Sequence, residues 1–181
     1  MRKTETYTSR TDGRVYRRNI DSGDGYWCPA HDDSCSRSCE DRRWGRFGAA
    51  GVLFYHRATG TFLLNERSSR IHFGGRWSTL GGAINRNESP LAGALREASE
   101  EGAEGAIIQV LAIHEDHTEG TNETWTYTTF VVEVEEAFET DASDWETASN
   151  EWLTINEMAT KRLHPAFRIS IHTLLKKMVE A

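Results

Sequence analysis

An α+β fold, with a mixed β-sheet held between helices, is predicted by three observations. Strand-like and helix-like stretches intermingle along the chain without strict β-α-β alternation. Several apolar or β-branched runs, 47–55, 61–66, 106–113 and 124–134, have the length and composition of strands. Two amphipathic stretches, one mid-chain from Pro90 and one near the end from Pro165, carry apolar residues at helical spacing.

Tyr7 to Ile20 holds one or two strands, and residues 27–45 read as loop, rich in Asp, Ser and Cys. Phe47 to Tyr55 is an apolar run suited to a buried strand. Ala58-Thr59-Gly60 then signals a hairpin into Thr61 to Glu66. The pairs Gly74-Gly75 and Gly81-Gly82 bracket a short strand around Trp77. A helix follows, with Ser89 as N-cap, Pro90 at its first position and Gly102 as C-cap. Leu91, Ala94, Leu95 and Ala98 form its apolar stripe. Ala106 to Ile113 is a strand, Glu115 to Glu123 a polar loop, and Thr124 to Val134 a long strand. Glu151 to Ile155 is a short strand, and Asn156 caps a brief helix. His164-Pro165 opens the last helix, with Phe167, Ile171, Leu174 and Met178 on one face and Lys176 and Lys177 near its end.

The mid-chain helix carries the chemistry. Glu97, Glu100 and Glu101 stand at i, i+3 and i+4, hence on one helical face. Carboxylates so close repel unless a positive charge lies between them. A hard divalent cation that prefers oxygen ligands, Mg²⁺ or Mn²⁺, is the natural candidate. Arg96 precedes Glu100 by four residues, so it can pair with that carboxylate and fix its rotamer. The small residues Gly81 and Gly82 permit close backbone approach to a ligand.

The run Gly82, five residues, Glu88, seven residues, Arg96-Glu97, two residues, Glu100-Glu101 resembles the Nudix box. The resemblance extends from about residue 46 to 179 and includes Trp77 and the late Glu151-Trp152-Leu153 and Asn156-Glu157. Two details depart from the family pattern. Ala103 and Glu104 stand where a glycine and an apolar residue are usual, and Leu80 stands where many members have proline. The first touches the helix end and the second the approach loop.

The resemblance implies an α/β/α sandwich around a mixed sheet, and hydrolysis of a diphosphate linked to another moiety. It implies Glu97, Glu100 and Glu101 as metal ligands, with the Gly81 carbonyl completing the shell. One carboxylate should deprotonate the attacking water: Glu97 first, with Glu119 and Glu123 as alternatives. Arg96 would orient carboxylates. Arg67, at a strand end, is a candidate for touching a phosphate, a surface ion pair being the alternative. Trp125 and Tyr127 share one strand face, opposite Phe130, and are candidates to stack on a substrate ring. Core packing is the commoner use of such residues. Trp44 is a weaker candidate, and His114 and His117 read better as surface residues.

Cys28, His31, Cys35 and Cys39 bring all the cysteines and one histidine into twelve residues. The C-x2-H-x3-C-x3-C spacing is close to structural zinc sites, so a structural Zn²⁺ is expected there, the alternative being a loop with free thiols. The expected division is an extension, 1–45, with this loop at 28–39, and a Nudix domain, 46–181.

The net charge of −7, from 28 acidic and 21 basic residues, argues against a polymeric nucleic acid as partner. No run approaches the roughly 18 apolar residues of a membrane span. The polar N-terminus does not read as a secretory signal, so a cytoplasmic protein is expected. The leading function is a Mg²⁺-dependent Nudix hydrolase of a nucleoside diphosphate derivative or nucleoside triphosphate. The alternative is a Nudix-fold module that binds a nucleotide-like ligand without cleaving it. An isomerase acting on an allylic diphosphate ranks lower, because the cysteines lie outside the core. The expected partners are a small nucleotide-type diphosphate and, since folds of this kind commonly pair, a second copy in a homodimer.

Overall fold

The structure, a computed structural model, describes residues 4–8, 15–19, 26–27, 43–118, 125–141 and 146–180. The chain forms two compact units, Met1–Phe47 and Gly48–Ala181. In the first, β1 (Thr4–Thr8) pairs antiparallel with β2 (Val15–Asn19), and β3 (Tyr26–Trp27) with β4 (Arg43–Trp44). The cysteines and His31 lie outside the described residues.

The second unit is built on one sheet of seven strands. These are β5 (Ala49–His56), β6 (Thr61–Arg67), β7 (Trp77–Ser78), β8 (Leu80–Ala83), β9 (Ile107–Thr118), β10 (Trp125–Val134) and β11 (Thr147–Thr154). The order is β11-β6-β5-β10-β9, with β7 added on β6 and β8 on β5. Only β5 and β10 run parallel, so the sheet is mixed as expected.

Both central strands carry apolar residues on both faces because helices cover both. Ala50, Val52 and Phe54 of β5 and Phe130, Val132 and Val134 of β10 face α1 (Pro90–Glu100). Leu53 and Val131, on the alternate face, pack with Phe167, Ile171 and Leu174 of α3 (Pro165–Glu180) and Met158 of α2 (Ile155–Thr160). The result is the α/β/α sandwich.

Several boundaries differ from the expectation. Gly81 and Gly82, expected to bracket a short strand around Trp77, lie inside a strand of their own, β8, paired with β5. The stretch 115–118, expected as loop, continues β9, paired in register from Thr118 opposite Trp125 to Glu115 opposite Thr128. β9 is an edge strand, where backbone pairing does not require apolar side chains. β11 starts at Thr147 rather than Glu151 and carries a bulge between Thr147 and Ser149. The cap of α2 is Thr154, not Asn156: the Thr154 hydroxyl accepts from the Glu157 N–H, and the Glu157 carboxylate accepts from the Thr154 N–H.

Two tests follow from this packing. Leu174 is fully buried, so Leu174→Ala should destabilise the fold by about 2–5 kcal/mol in urea denaturation. Glu133 of β10 is buried and accepts from Arg57 and from Gln109 Nε2 (2.8 Å), which holds its carboxyl down at about 2. A depressed carboxyl contributes stability that is complete above its ordinary value of 4.5 and lost as pH falls toward 2. Across that window the urea midpoint of wild type should fall more steeply than that of Glu133→Gln.

Candidate active site

The site is assembled where β8 turns into α1. Asn87 takes a left-handed conformation (φ 64°) in the connecting turn, and the chain then meets Ser89. The Ser89 hydroxyl accepts from the Ala92 N–H (3.2 Å), and Pro90 opens the helix. At the other end the Gly102 N–H donates to the Ser99 carbonyl and the Ala103 N–H to the Ala98 carbonyl. That pair of bonds is a Schellman motif, and it needs the left-handed Gly102 (φ 78°). The N-terminus of α1 is as the sequence predicts; at the other end Glu101 is the cap and Gly102, expected as the cap, is the left-handed residue that follows it.

Arg96 is the hub. Its Nε donates to Glu88 Oε1 (2.9 Å) and its Nη2 to Glu88 Oε2 (3.1 Å) and to the Ala83 carbonyl (2.9 Å). Nη1 donates to Glu97 Oε1 (2.8 Å) and, at 3.3 Å, to Glu100. The expected Arg96–Glu100 pair is therefore present but is the longest of these contacts. The stronger tie is the fork onto Glu88, whose Oε2 also accepts from the Asn85 N–H (2.9 Å). Arg96 holds the Glu88 carboxyl below its usual range, and Glu88 in return raises the guanidinium further above its own. Glu88 thus clamps the β8–α1 turn to the helix.

The three helix carboxylates part company in their surroundings. Glu97 is packed over Gly82, where any Cβ would strike its carboxylate. Burial pushes the Glu97 carboxyl up, Arg96 opposes this, and Glu100 and Glu88 add to the rise. Glu101, one turn on, accepts from the Gly81 N–H at 2.9 Å. A Cβ on Gly81 would strike the Ala50 carbonyl of β5. The double glycine therefore brings a strand edge under two carboxylates. Glu100 is 61% exposed on the outer flank. Among the described residues no three His, Cys, Asp or Glu side chains are grouped to hold a metal ion.

Tyr127 of β10 is half-buried, with its hydroxyl 3.3 Å from Thr79 Oγ1 and pressed against Gly51. Burial pushes its phenol up to about 12, with Glu101 and Glu97 adding to the rise and Arg67 opposing it. Its hydroxyl end therefore lies within the field of the site. Trp125 stands beside it, ring centroids 6.3 Å apart. Arg67, at the end of β6, donates through Nε to the His72 carbonyl (3.0 Å).

A feature the sequence reading missed lies next to Arg67. Phe73, in the left-handed region (φ 58°), packs on His72 (4.0 Å) and meets His164 edge-on (4.7 Å), with the Arg76 guanidinium over its ring. Burial, reinforced by Arg67, Arg76 and His72, lowers His164 to about 4, so it stays neutral at pH 7. The run from Arg67 to Arg76 already held this mixture of basic and aromatic residues, but His164 joins it from far along the chain.

His114 bonds Asp116 (3.1 Å) and His117 bonds Thr126 (3.2 Å), both within the β9–β10 pair. Glu119 and Glu123 lie outside the described residues, and Trp44 belongs to the first unit.

A two-glycine strand edge under a glutamate-bearing helix, inside an α/β/α sandwich, defines the class, and the comparisons agree. The chain matches the NUDIX domain family over residues 45–174 and belongs to that family. It is 40% identical over 133 residues to the Mycobacterium tuberculosis protein named "Putative 8-oxo-dGTP diphosphatase 3", covering 70% of this chain and 61% of that protein. It thus spans about three-fifths of that relative's length. A Nudix hydrolase from M. smegmatis, RenU, superposes with a TM-score of 0.66 at 30% identity, over 77% of this chain and 89% of that one. A MutT protein from Methanosarcina mazei shares the fold at TM-score 0.55 and 20% identity, over 71% and 92%.

The raised Glu97 carboxyl has a direct consequence. A carboxyl raised in the folded state binds its proton more tightly than in the unfolded chain, so its contribution to stability is lost as pH rises through the folded value. At neutral pH, metal-free Glu97→Gln should melt at a higher temperature than metal-free wild type. A lower melting temperature would show that the Arg96 pairing outweighs burial.

Proposed function

We propose that this chain is a Mg²⁺- or Mn²⁺-dependent hydrolase that cleaves a phosphoanhydride bond in a nucleoside triphosphate or nucleoside diphosphate derivative. The observation that carries this reading is the placement of Glu97 and Glu101, one turn apart, against the Gly81–Gly82 backbone, with Glu97 desolvated. The donor chemistry suits a hard cation: carboxylate and carbonyl oxygens beside a glycine cradle that a Cβ would fill. Glu97, Glu100 and Glu101 would hold it, with the Gly81 carbonyl as a further oxygen. Glu100 is free to join because its contacts to Arg96 are long and its side chain is exposed. When bound, such a cation neutralises phosphate oxygens and acidifies a water.

The chain's own residues supply the rest. Glu97, with its carboxyl raised by burial, is the first choice to take the proton of the attacking water, Glu119 and Glu123 being the alternatives. As the new P–O bond forms, the bridging P–O bond breaks and the leaving phosphate carries its electrons away. Arg96 orients Glu97 through its 2.8 Å bond. Arg67, beside the basic loop, meets a phosphate, and Trp125 and Tyr127 border the ring of the substrate. The name of the M. tuberculosis relative favours a nucleoside triphosphate, with oxidised guanine as one candidate base.

Three further expectations belong to this proposal. Cys28, His31, Cys35 and Cys39 would bind a structural Zn²⁺, a reading that rests on spacing alone. The protein would act in the cytoplasm; among the described residues no helix is long and apolar enough to cross a membrane. It would also pair as a homodimer.

The test is a phosphate- and pyrophosphate-release screen over nucleoside triphosphates and diphosphate derivatives with Mg²⁺ or Mn²⁺. Turnover by wild type should fall in Glu101→Gln by more than the roughly 10–100-fold typical of losing a partner of a metal ligand. No turnover across the panel, with nucleotides still raising the melting temperature, would replace the hydrolase by a nucleotide-binding module.

A further inference from the structure

On the sheet face beneath α1, Asn65, Thr147 and Asn150 form a hydrogen-bonded polar cluster at the edge of the apolar core. Asn65 is 3% exposed and sits in β6 directly opposite Asn150 of β11. Thr147 and Asn150 are three residues apart, and side chains so spaced in a regular strand point to opposite faces. The β11 bulge between Thr147 and Ser149 cancels that alternation and lets both reach Asn65. Asn65 Nδ2 donates to Thr147 Oγ1 (2.9 Å) and to Asn150 Oδ1 (3.1 Å), and Asn150 Nδ2 donates to the backbone carbonyl of Glu101 (3.1 Å).

The polarity of this chain is dictated from one end. A carbonyl only accepts, so the bond to Glu101 turns the Asn150 amide nitrogen toward the helix. That leaves Asn150 Oδ1 facing Asn65, which must then present its own nitrogen. A buried amide is costly unless bonded, and Asn65 spends its nitrogen on both Thr147 and Asn150. Glu101 is the residue that ends α1 and whose carboxylate receives the Gly81 N–H. Its carbonyl lies at the helix end and accepts from the Asn150 amide.

We propose that Asn150, oriented by Asn65, is a positioning residue: it pins the Glu101 backbone so that the Glu101 carboxylate points at the Gly81–Gly82 cradle. The inference rests on the reading of Glu101 as a carboxylate that holds the catalytic cation. It assigns to β11 a part in cation binding although no β11 side chain is a ligand.

The test is Mn²⁺ binding to the full chain, followed by electron paramagnetic resonance or calorimetry, for wild type, Asn150→Ala, Asn65→Leu and Glu101→Gln, alongside circular dichroism and melting curves. Asn150→Ala should bind Mn²⁺ about 10–100-fold more weakly. The same change should appear as a lower kcat and a higher Mn²⁺ requirement, with the substrate KM little altered. Asn65→Leu, which keeps Asn150 but frees its amide to turn, should move in the same direction. Asn150 is half-exposed, so its replacement is expected to fold. Wild-type Mn²⁺ affinity in Asn150→Ala, with or without a lower melting temperature, overturns the proposal and leaves the cluster a purely structural one. Wild-type affinity in Glu101→Gln instead overturns the reading of Glu101 on which it depends.

Discussion

The fork of Arg96 onto Glu88 is the interaction on which the site's geometry depends. A guanidinium with five donors can bind a turn, a strand end and its own helix at once, which no lysine can do. Here it spans Glu88 in the turn, the Ala83 carbonyl at the end of β8, and Glu97 in the helix. Without that bridge the β8–α1 turn would lose its tie to the helix, leaving the Gly81–Glu101 bond and packing to join the two elements, and Glu97 would lose its bond to Arg96. The charge count around Arg96 is one cation to three carboxylates. The neighbourhood therefore keeps a net negative charge.

Glycine does the complementary work. Gly81 and Gly82 are hydrogen-bonded into β8 opposite Gly51 and Ala50, and side chains at these positions would collide with Glu97 or with the β5 backbone. Gly51 in turn leaves room for the Tyr127 hydroxyl. The centre of the molecule is thus close-packed in its apolar layers and deliberately thin where strand meets helix. In that thin place a backbone edge and the Glu97 and Glu101 carboxylates come together. The basic loop from Arg67 to Arg76 adds the opposite charge beside it, with His164 kept neutral by burial and by its cationic neighbours.

What was legible in the sequence was what is written locally. The helix of Glu97, its Ser89 cap and its Gly102 stop are all encoded within fourteen residues, Ser89 to Gly102, by side-chain spacing and two special backbone positions. The apolar central strands were equally readable, since burial on both faces demands continuous hydrophobicity. Polar strand segments were not. The run His114 to Thr118 joins the sheet because β10 lies beside it, not because of its own composition. The role of Thr154 rather than Asn156 turned on where the preceding strand ends, which spacing alone leaves open by a residue or two. Asn65 and Asn150 lie 85 positions apart, and a bulge sets which way Thr147 faces. No pattern in either segment announces their meeting, nor that of Phe73 with His164.

The separation of those two asparagines also bears on how the protein comes into being. Helix α1, its cap and the Arg96 fork are local and can form early, since short loops close at little entropic cost. The contact of β11 with β6 requires a closure across most of the domain, and the bond from Asn150 to the helix end one across 49 positions, the kind of long-range pairing that slows folding. A chain growing from the ribosome would therefore carry its glutamates, its glycines and its arginine well before it could hold the helix end in place. Ligand binding at the site would ripen last, with the arrival of the strand that contributes none of its ligands.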